Sequence, residues 1–192
     1  MIDLAARPKG ALFLDRDGVL NRLVLREGRR VSPRTVTDFV ICPEAPDLLE
    51  RVARLGIERF VVTNQPDLAR GRMAASELEA MHAEMRRCLP LTDVMYCPHD
   101  DADHCNCRKP RPGMLLDLAA RWKISLRHSV IIGDTARDIG AGRAAGCFTI
   151  LIGDQQPAEA DAHRRFAGLS EAIECAIETM LLLPGEPRCE EP

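Results

Sequence analysis

The sequence predicts a three-layer α/β fold in which a doubly wound parallel sheet carries helices on both faces. Three observations predict it. Short apolar runs alternate with stretches whose apolar residues recur at helical spacing. The runs end in polar residues, as strands feeding loops do. Finally, 46% apolar and 29% charged residues over 192 positions describe a globular chain long enough for one well-buried core. The expected organisation is a single unit over residues 1–184, followed by a polar, proline-rich tail at 185–192.

The elements follow in order. ALFLD (11–15) reads as a strand, and Ala45, Leu48, Leu49, Val52 and Leu55 mark one face of a helix. IERFVVTN (57–64) is rich in β-branched and aromatic residues and stops at a polar turn, so it is a second strand. Ser76 and Glu79 have capping-box spacing ahead of a helix carrying Leu78, Met81, Met85 and Cys88. TDVMYCP (92–98) is the next strand, and Pro112 opens a helix bearing Met114, Leu115, Leu118 and Trp122. SVIIGD (129–134) is a strand leading into a helix with Thr135 and Asp138 in capping-box spacing and an end near Gly146. CFTILIG (147–153) is one more strand, and Phe166, Leu169, Ile173, Ile177, Met180 and Leu181 predict a terminal helix. Such alternation builds a parallel sheet covered on both sides.

A formal charge of −3 offers no electropositive excess for a nucleic-acid backbone or an anionic membrane. No apolar run approaches the ~18–20 residues that cross a bilayer, and the first residues lack a secretory apolar stretch, so a cytoplasmic location is expected. The cysteines are then expected as thiols or metal ligands rather than disulfides. Cys42, Cys88, Cys147 and Cys175 sit singly in apolar segments and read as small hydrophobes.

Doubly wound sheets bind ligands beyond the carboxyl ends of their strands. There the sequence places Asp15 and Asp17, Thr63 and Asn64, and Asp134 with Asp138, with Lys109 just after a Cys/His loop. Carboxylates converging in one crevice call for a hard cation, and magnesium suits Asp15, Asp134 and the backbone carbonyl of Asp17. A phosphate beside that cation keeps excess negative charge, which Lys109, the Thr63 hydroxyl and backbone N–H groups could stabilise. The chemistry that fits is phosphoryl transfer. For Asp138, helix capping and a role in the site stand about even.

CPHDDADHCNC (97–107) offers three thiols and an imidazole within a short loop, a Cys₃His set for a structural tetrahedral zinc site. Cys97, Cys105 and Cys107 are the sulfur ligands, and His99 and His104 both remain open as the fourth.

LFLDRDGVLN (12–21), VVTN (61–64), RKPRPGM (108–114) and IIGDTARD (131–138) resemble, in order, the four motifs of the haloacid dehalogenase (HAD) superfamily. The resemblance implies a Rossmann-like phosphatase fold without a large cap and a reaction through an aspartyl-phosphate. Asp15 would be the nucleophile and Asp17 the acid/base, with Thr63 and Lys109 holding the phosphoryl group. The C-x-H and C-x-C pairs look like the zinc loop of phosphatases acting on heptose bisphosphate or histidinol phosphate, which favours His99 as the zinc ligand. TNQ (63–65), ARG (69–71) and CRKPRPGM (107–114) resemble the D-glycero-D-manno-heptose 1,7-bisphosphate 7-phosphatase family most, in its β-anomer form, which serves lipopolysaccharide-core precursor synthesis. Asn64 and Arg108 would then contact substrate, and residues 23–26 would line its entrance. Pro66, Asp67 and Leu68 depart from that family's Ser-Gly-Ile stretch, and the shorter zinc loop is closer to that of histidinol phosphatases. The expected partner is a small phosphorylated metabolite, and the expected state is a monomer. Rival readings are a histidinol-phosphate phosphatase, a DNA 3′-phosphatase, and a non-catalytic phosphate-binding module. The last is disfavoured by the presence of both Asp15 and Asp17.

Overall fold

A computed structural model of the chain describes residues 9–153 and 160–181. The tail expected at 185–192 lies outside them. Six parallel strands form the sheet: β1 (Ala11–Leu14), β4 (Glu58–Asn64), β5 (Asp93–Cys97), β6 (Val130–Gly133), β7 (Phe148–Ile152) and β8 (Arg164–Phe166). Their spatial order is β5-β4-β1-β6-β7-β8. The chain winds outward from β1 to β5 on one side, then returns to β6 and winds outward on the other. The crevice where the winding reverses therefore lies between β1 and β6, which pair from Leu12 with Val130 to Leu14 with Ile132.

Five helices cover the sheet: α1 (Ala45–Arg54), α2 (Ala75–Cys88), α3 (Gly113–Trp122), α4 (Ala136–Ala145) and α5 (Leu169–Leu181). Alternation within the strands decides the faces. Leu12, Leu14, Val61, Val130 and Ile132 pack with α1, α2 and α5, whereas Phe13, Phe60, Val62 and Ile131 pack with α3 and α4. Strands buried on both sides carry continuous apolar runs, and all four residues of β1 and of β6 are buried.

Three details depart from the sequence reading. The Ser76/Glu79 box does not form, because α2 starts one residue before Ser76 with Ala74 as its N-cap. Phe166 belongs to β8, paired with β7, so the terminal helix begins at Leu169. An antiparallel hairpin of β2 (Val24–Arg26) and β3 (Arg29–Val31) follows the first motif. Glu27 and Gly28, at φ 50° and 74°, make its two-residue turn.

Candidate active site

Asp15 and Asp17 leave β1 on a loop closed by backbone bonds from Gly18 N to Asn21 O, and from Leu20 N and Asn21 N to Arg16 O. Gly18 sits at φ 85°, and a β-carbon there would lie 2.1 Å from an Asp134 oxygen, so the loop approaches β6 only because residue 18 is glycine. Asp15, Asp134 and Asp138 thereby come together, with one carboxylate oxygen from each within 4.8 Å of the others.

Lys109 crosses this centre almost fully buried. Its ammonium donates to Asp15 Oδ1 at 2.6 Å and to the Val62 carbonyl at 2.7 Å, and it pairs with Asp138 Oδ1. Burial works against its charge, but Asp138 and Asp15 outweigh burial and raise its pKa. Asn64 fixes the Lys109 backbone from both sides: its amide donates to the carbonyl at 3.0 Å and its oxygen accepts from the N–H at 3.0 Å. Asp138 serves both readings left open for it. Oδ2 accepts from Thr135 N and Thr135 Oγ1, completing the capping box of α4, while Oδ1 meets Lys109.

Three carboxylates against one lysine leave unbalanced negative charge. Burial first, opposed by Lys109 and reinforced by Asp138 and Asp17, pushes Asp15 up to about 7. Burial, then Asp15 and Asp138, pushes Asp134 up to about 8. The Asp134 Oδ1 atom is buried without a hydrogen-bond partner. An orphaned acceptor among crowded carboxylates is the donor set that a hard divalent cation such as magnesium fits. The Asp17 carboxylate stands outside this group. Its oxygens accept from Arg16 at 3.1 and 3.0 Å and from Gln65 at 2.9 Å. Gln65 also donates to Thr63 Oγ1 at 2.8 Å, which ties Thr63 into the network.

A cavity of about 280 Å³ opens over these groups. Asp15, Asp17, Thr63, Lys109 and Asp134 form its floor, and Leu23, Arg30, Val31 and Ser32 bring the hairpin in as a wall. Of the expected entrance 23–26, Leu23 reaches the cavity. Arg30, Ser32 and Arg137 were not anticipated, although Arg-Glu-Gly-Arg between two alternating apolar stretches is a readable hairpin signal. Arg108 lines the cavity while its guanidinium holds Asp101 and the His99 carbonyl. Asp67, the acid in the departing segment, is paired with Arg34 at 2.6 Å and is absent from the cavity wall.

The Cys/His loop folds its donors into one cluster. Cys97 Sγ, His99 Nδ1, Cys105 Sγ and Cys107 Sγ lie 3.3 to 3.6 Å from their neighbours. A tetrahedral zinc ion with Zn–S near 2.3 Å sets donor separations of about 3.5–3.8 Å, so the four fit that ion. His104 is exposed at the left-handed end of a short turn and takes no part. The three thiols form no disulfide. Arg108 and Lys109 follow Cys107 directly, so the loop sets where the catalytic-side lysine enters.

Comparison with known proteins agrees with this geometry. Residues 106–171 match the family model described as HAD-hydrolase-like. A D-glycero-β-D-manno-heptose-1,7-bisphosphate 7-phosphatase of Pseudomonas aeruginosa is 34% identical over 149 residues, covering 75% of this chain and 81% of that protein. A D-glycero-α-D-manno-heptose-1,7-bisphosphate 7-phosphatase of Campylobacter jejuni is 30% identical, with 85% and 93% covered. The crystal structure of a D,D-heptose 1,7-bisphosphate phosphatase from Bordetella bronchiseptica, complexed with magnesium and phosphate, superposes with a TM-score of 0.76 at 28% identity, covering 86% of this chain and 96% of that one. The fold and site define a phosphatase of the HAD type. The chain belongs to the HAD phosphatase family that contains the heptose-1,7-bisphosphate 7-phosphatases.

Proposed function

We propose that this enzyme hydrolyses the 7-phosphate of D-glycero-β-D-manno-heptose 1,7-bisphosphate through an aspartyl-phosphate on Asp15. The observation that carries the reading is the buried Asp15–Lys109–Asp138 arrangement beside the unpartnered Asp134 oxygen, under a cavity rimmed by arginines. The relatives named for heptose bisphosphates support the substrate.

Asp15 attacks phosphorus as a carboxylate; the Lys109 ammonium at 2.6 Å favours that charged form and stays to neutralise the phosphoryl oxygens. As the Asp15–phosphorus bond forms and the ester P–O bond breaks, Asp17 gives its proton to the leaving oxygen. In the second step Asp17 takes a proton from the attacking water. Thr63 and Lys109 hold the transferring group, and Asn64 keeps Lys109 in place through its backbone. Arg108, with Arg30 and Arg137 on the rim, faces the far anionic end of the substrate. Asp15, Asp134 and the Asp17 carbonyl would hold magnesium, which would supply a hard positive charge to offset that of the phosphate. Cys97, His99, Cys105 and Cys107 would hold zinc in a structural role, since four protein ligands would leave no position for a catalytic water. The unit over 1–184 acts as a cytoplasmic monomer. Among the described residues no helix is long and apolar enough to cross a membrane.

Phosphate release with magnesium, from the β and α heptose 1,7-bisphosphates, histidinol phosphate and an aryl phosphate, tests the reading. Highest kcat/KM on the β-bisphosphate, lost in Asp15→Asn, is the expected result. Preference for histidinol phosphate overturns the substrate, and full activity in Asp15→Asn overturns the mechanism.

A further inference from the structure

Arg16 is 0% exposed, between two aspartates of the site, and its charge must be satisfied by the protein alone. Nε and one terminal nitrogen fork onto both oxygens of Asp17, and the guanidinium lies 5.5 Å from the centre of the Phe39 ring. The other terminal nitrogen, NH1, lies 3.3 Å from His82 Nε2. A guanidinium has only donors, so His82 Nε2 is the acceptor, and its ring is neutral with the proton on Nδ1. His82 stands on the buried face of α2, with its ring 5.5 Å from that of Tyr96. The charged groups facing it are Arg16, Arg86 and Asp17; burial, then the two arginines, pushes its pKa down to about 4, consistent with the neutral ring.

We infer that His82 is a positioning residue for phosphoryl transfer, fixing Arg16 so that the guanidinium fork orients the Asp17 carboxyl toward the leaving oxygen. The inference rests on the phosphatase reading, with Asp17 as the acid. The Asp17 fork engages only Nε and one terminal nitrogen of the buried guanidinium, so NH1 needs a partner of its own. The imidazole gives it a second anchor on a different element. When Asp17 releases its proton to the leaving oxygen, it becomes a carboxylate, and a fixed Arg16 stabilises that charge as it appears. Gln65 donates to Asp17 Oδ2 as well, the oxygen that also accepts from Arg16, and does so independently of α2.

The test uses leaving-group dependence, because kcat/KM covers the steps through formation of the aspartyl-phosphate. An alkyl phosphate such as the heptose bisphosphate needs a proton from Asp17, whereas p-nitrophenyl phosphate, with its stable leaving anion, needs little help. General acid catalysis contributes about 10²–10⁴-fold. His82→Leu is expected to lower kcat/KM on the alkyl ester by about tenfold or more and on the aryl ester by less than about threefold. His82→Gln, whose amide oxygen still accepts, is expected to recover most of the alkyl activity. Equal losses on both esters, or no loss on either, overturn the inference, as does a His82→Gln enzyme with the same alkyl defect as His82→Leu. Asp17→Asn separates the two layers: if it spares the alkyl ester the reading of Asp17 as the acid itself fails, and if it abolishes alkyl turnover while His82→Leu leaves it at the wild-type rate, only the role of His82 fails.

Discussion

The two candidate metal centres are built on opposite plans. At the strand ends, Asp15, Lys109, Asp134 and Asp138 come from positions up to 123 residues apart, as Asp15 and Asp138 show, and the sheet brings them together whether or not a cation is bound. In the Cys/His loop, all four donors lie within residues 97–107, on a segment with one short turn and no strand pairing beyond Cys97. The first centre is preorganised by the fold and is the place for chemistry. On the zinc reading proposed above, the second would need its ion to hold its own shape, and it adjoins the first through Arg108 and Lys109. Loss of metal from the two should therefore fail in different ways.

The largest expected effect comes from the strand ends. Asp15→Asn should lower phosphate release by about 10³-fold or more while leaving the circular-dichroism melting curve almost unchanged, since a neutral amide relieves carboxylate crowding. Lys109→Met should damage both activity and fold. It leaves Asp15 and Asp138 buried without their cation, and breaking such a buried pair costs about 3–5 kcal/mol, read as a lower urea midpoint. Both results break the comparison if Lys109→Met proves as stable as wild type.

Cys105→Ser should sharpen it from the other side. Hydrogen exchange should rise over residues 97–112 while β1 and β6 stay protected, and KM should rise several-fold with a smaller change in kcat, because the loop positions Arg108. Unfolding of the whole sheet in this variant would show that the loop is not a local device.

The smallest effect concerns pH. In magnesium-free protein, burial raises Asp15 to about 7 and Asp134 to about 8 from the ordinary aspartate value of 3.8. A raised carboxyl pKa means that the folded state keeps protons which the unfolded chain has released. That contribution is full below about pH 4 and is lost as pH rises through 7 and 8. The thermal midpoint without magnesium should thus fall between pH 6 and pH 8, and added magnesium should recover more at pH 8 than at pH 6.

Most of the sheet was legible because β1, β4, β6 and β7 are apolar runs buried on both faces, and the strand-end rule then pointed to Asp15, Lys109 and Asp134. The three-residue β8 was not, since three residues are too few for alternation to show, and Phe166 looked helical for that reason; the hairpin carried a turn signal in Arg-Glu-Gly-Arg, but its strands are as short. Ser76 and Glu79 had the right spacing two residues past the actual N-cap, Ala74, and periodicity cannot fix a helix start that closely. The dual engagement of Asp138 was legible as two open readings, capping and a role in the site, and the structure shows both contacts. Arg16 and His82 were invisible, because their contact joins residues 66 apart through packing rather than through any motif. Asn64 was expected to touch substrate; it lines the cavity, and its amide also clamps Lys109, which only the three-dimensional approach of β4 to the loop reveals.

The central claim is that Asp15 carries the phosphoryl group. Acid-quenching the magnesium-loaded enzyme during turnover of heptose 1,7-bisphosphate, followed by peptide mapping by mass spectrometry, tests it most directly. A phosphate adduct on Asp15, absent from the Asp15→Asn enzyme, is the predicted result. A phosphate adduct on another residue, or an Asp15→Asn enzyme that turns over at the wild-type rate, would contradict the account.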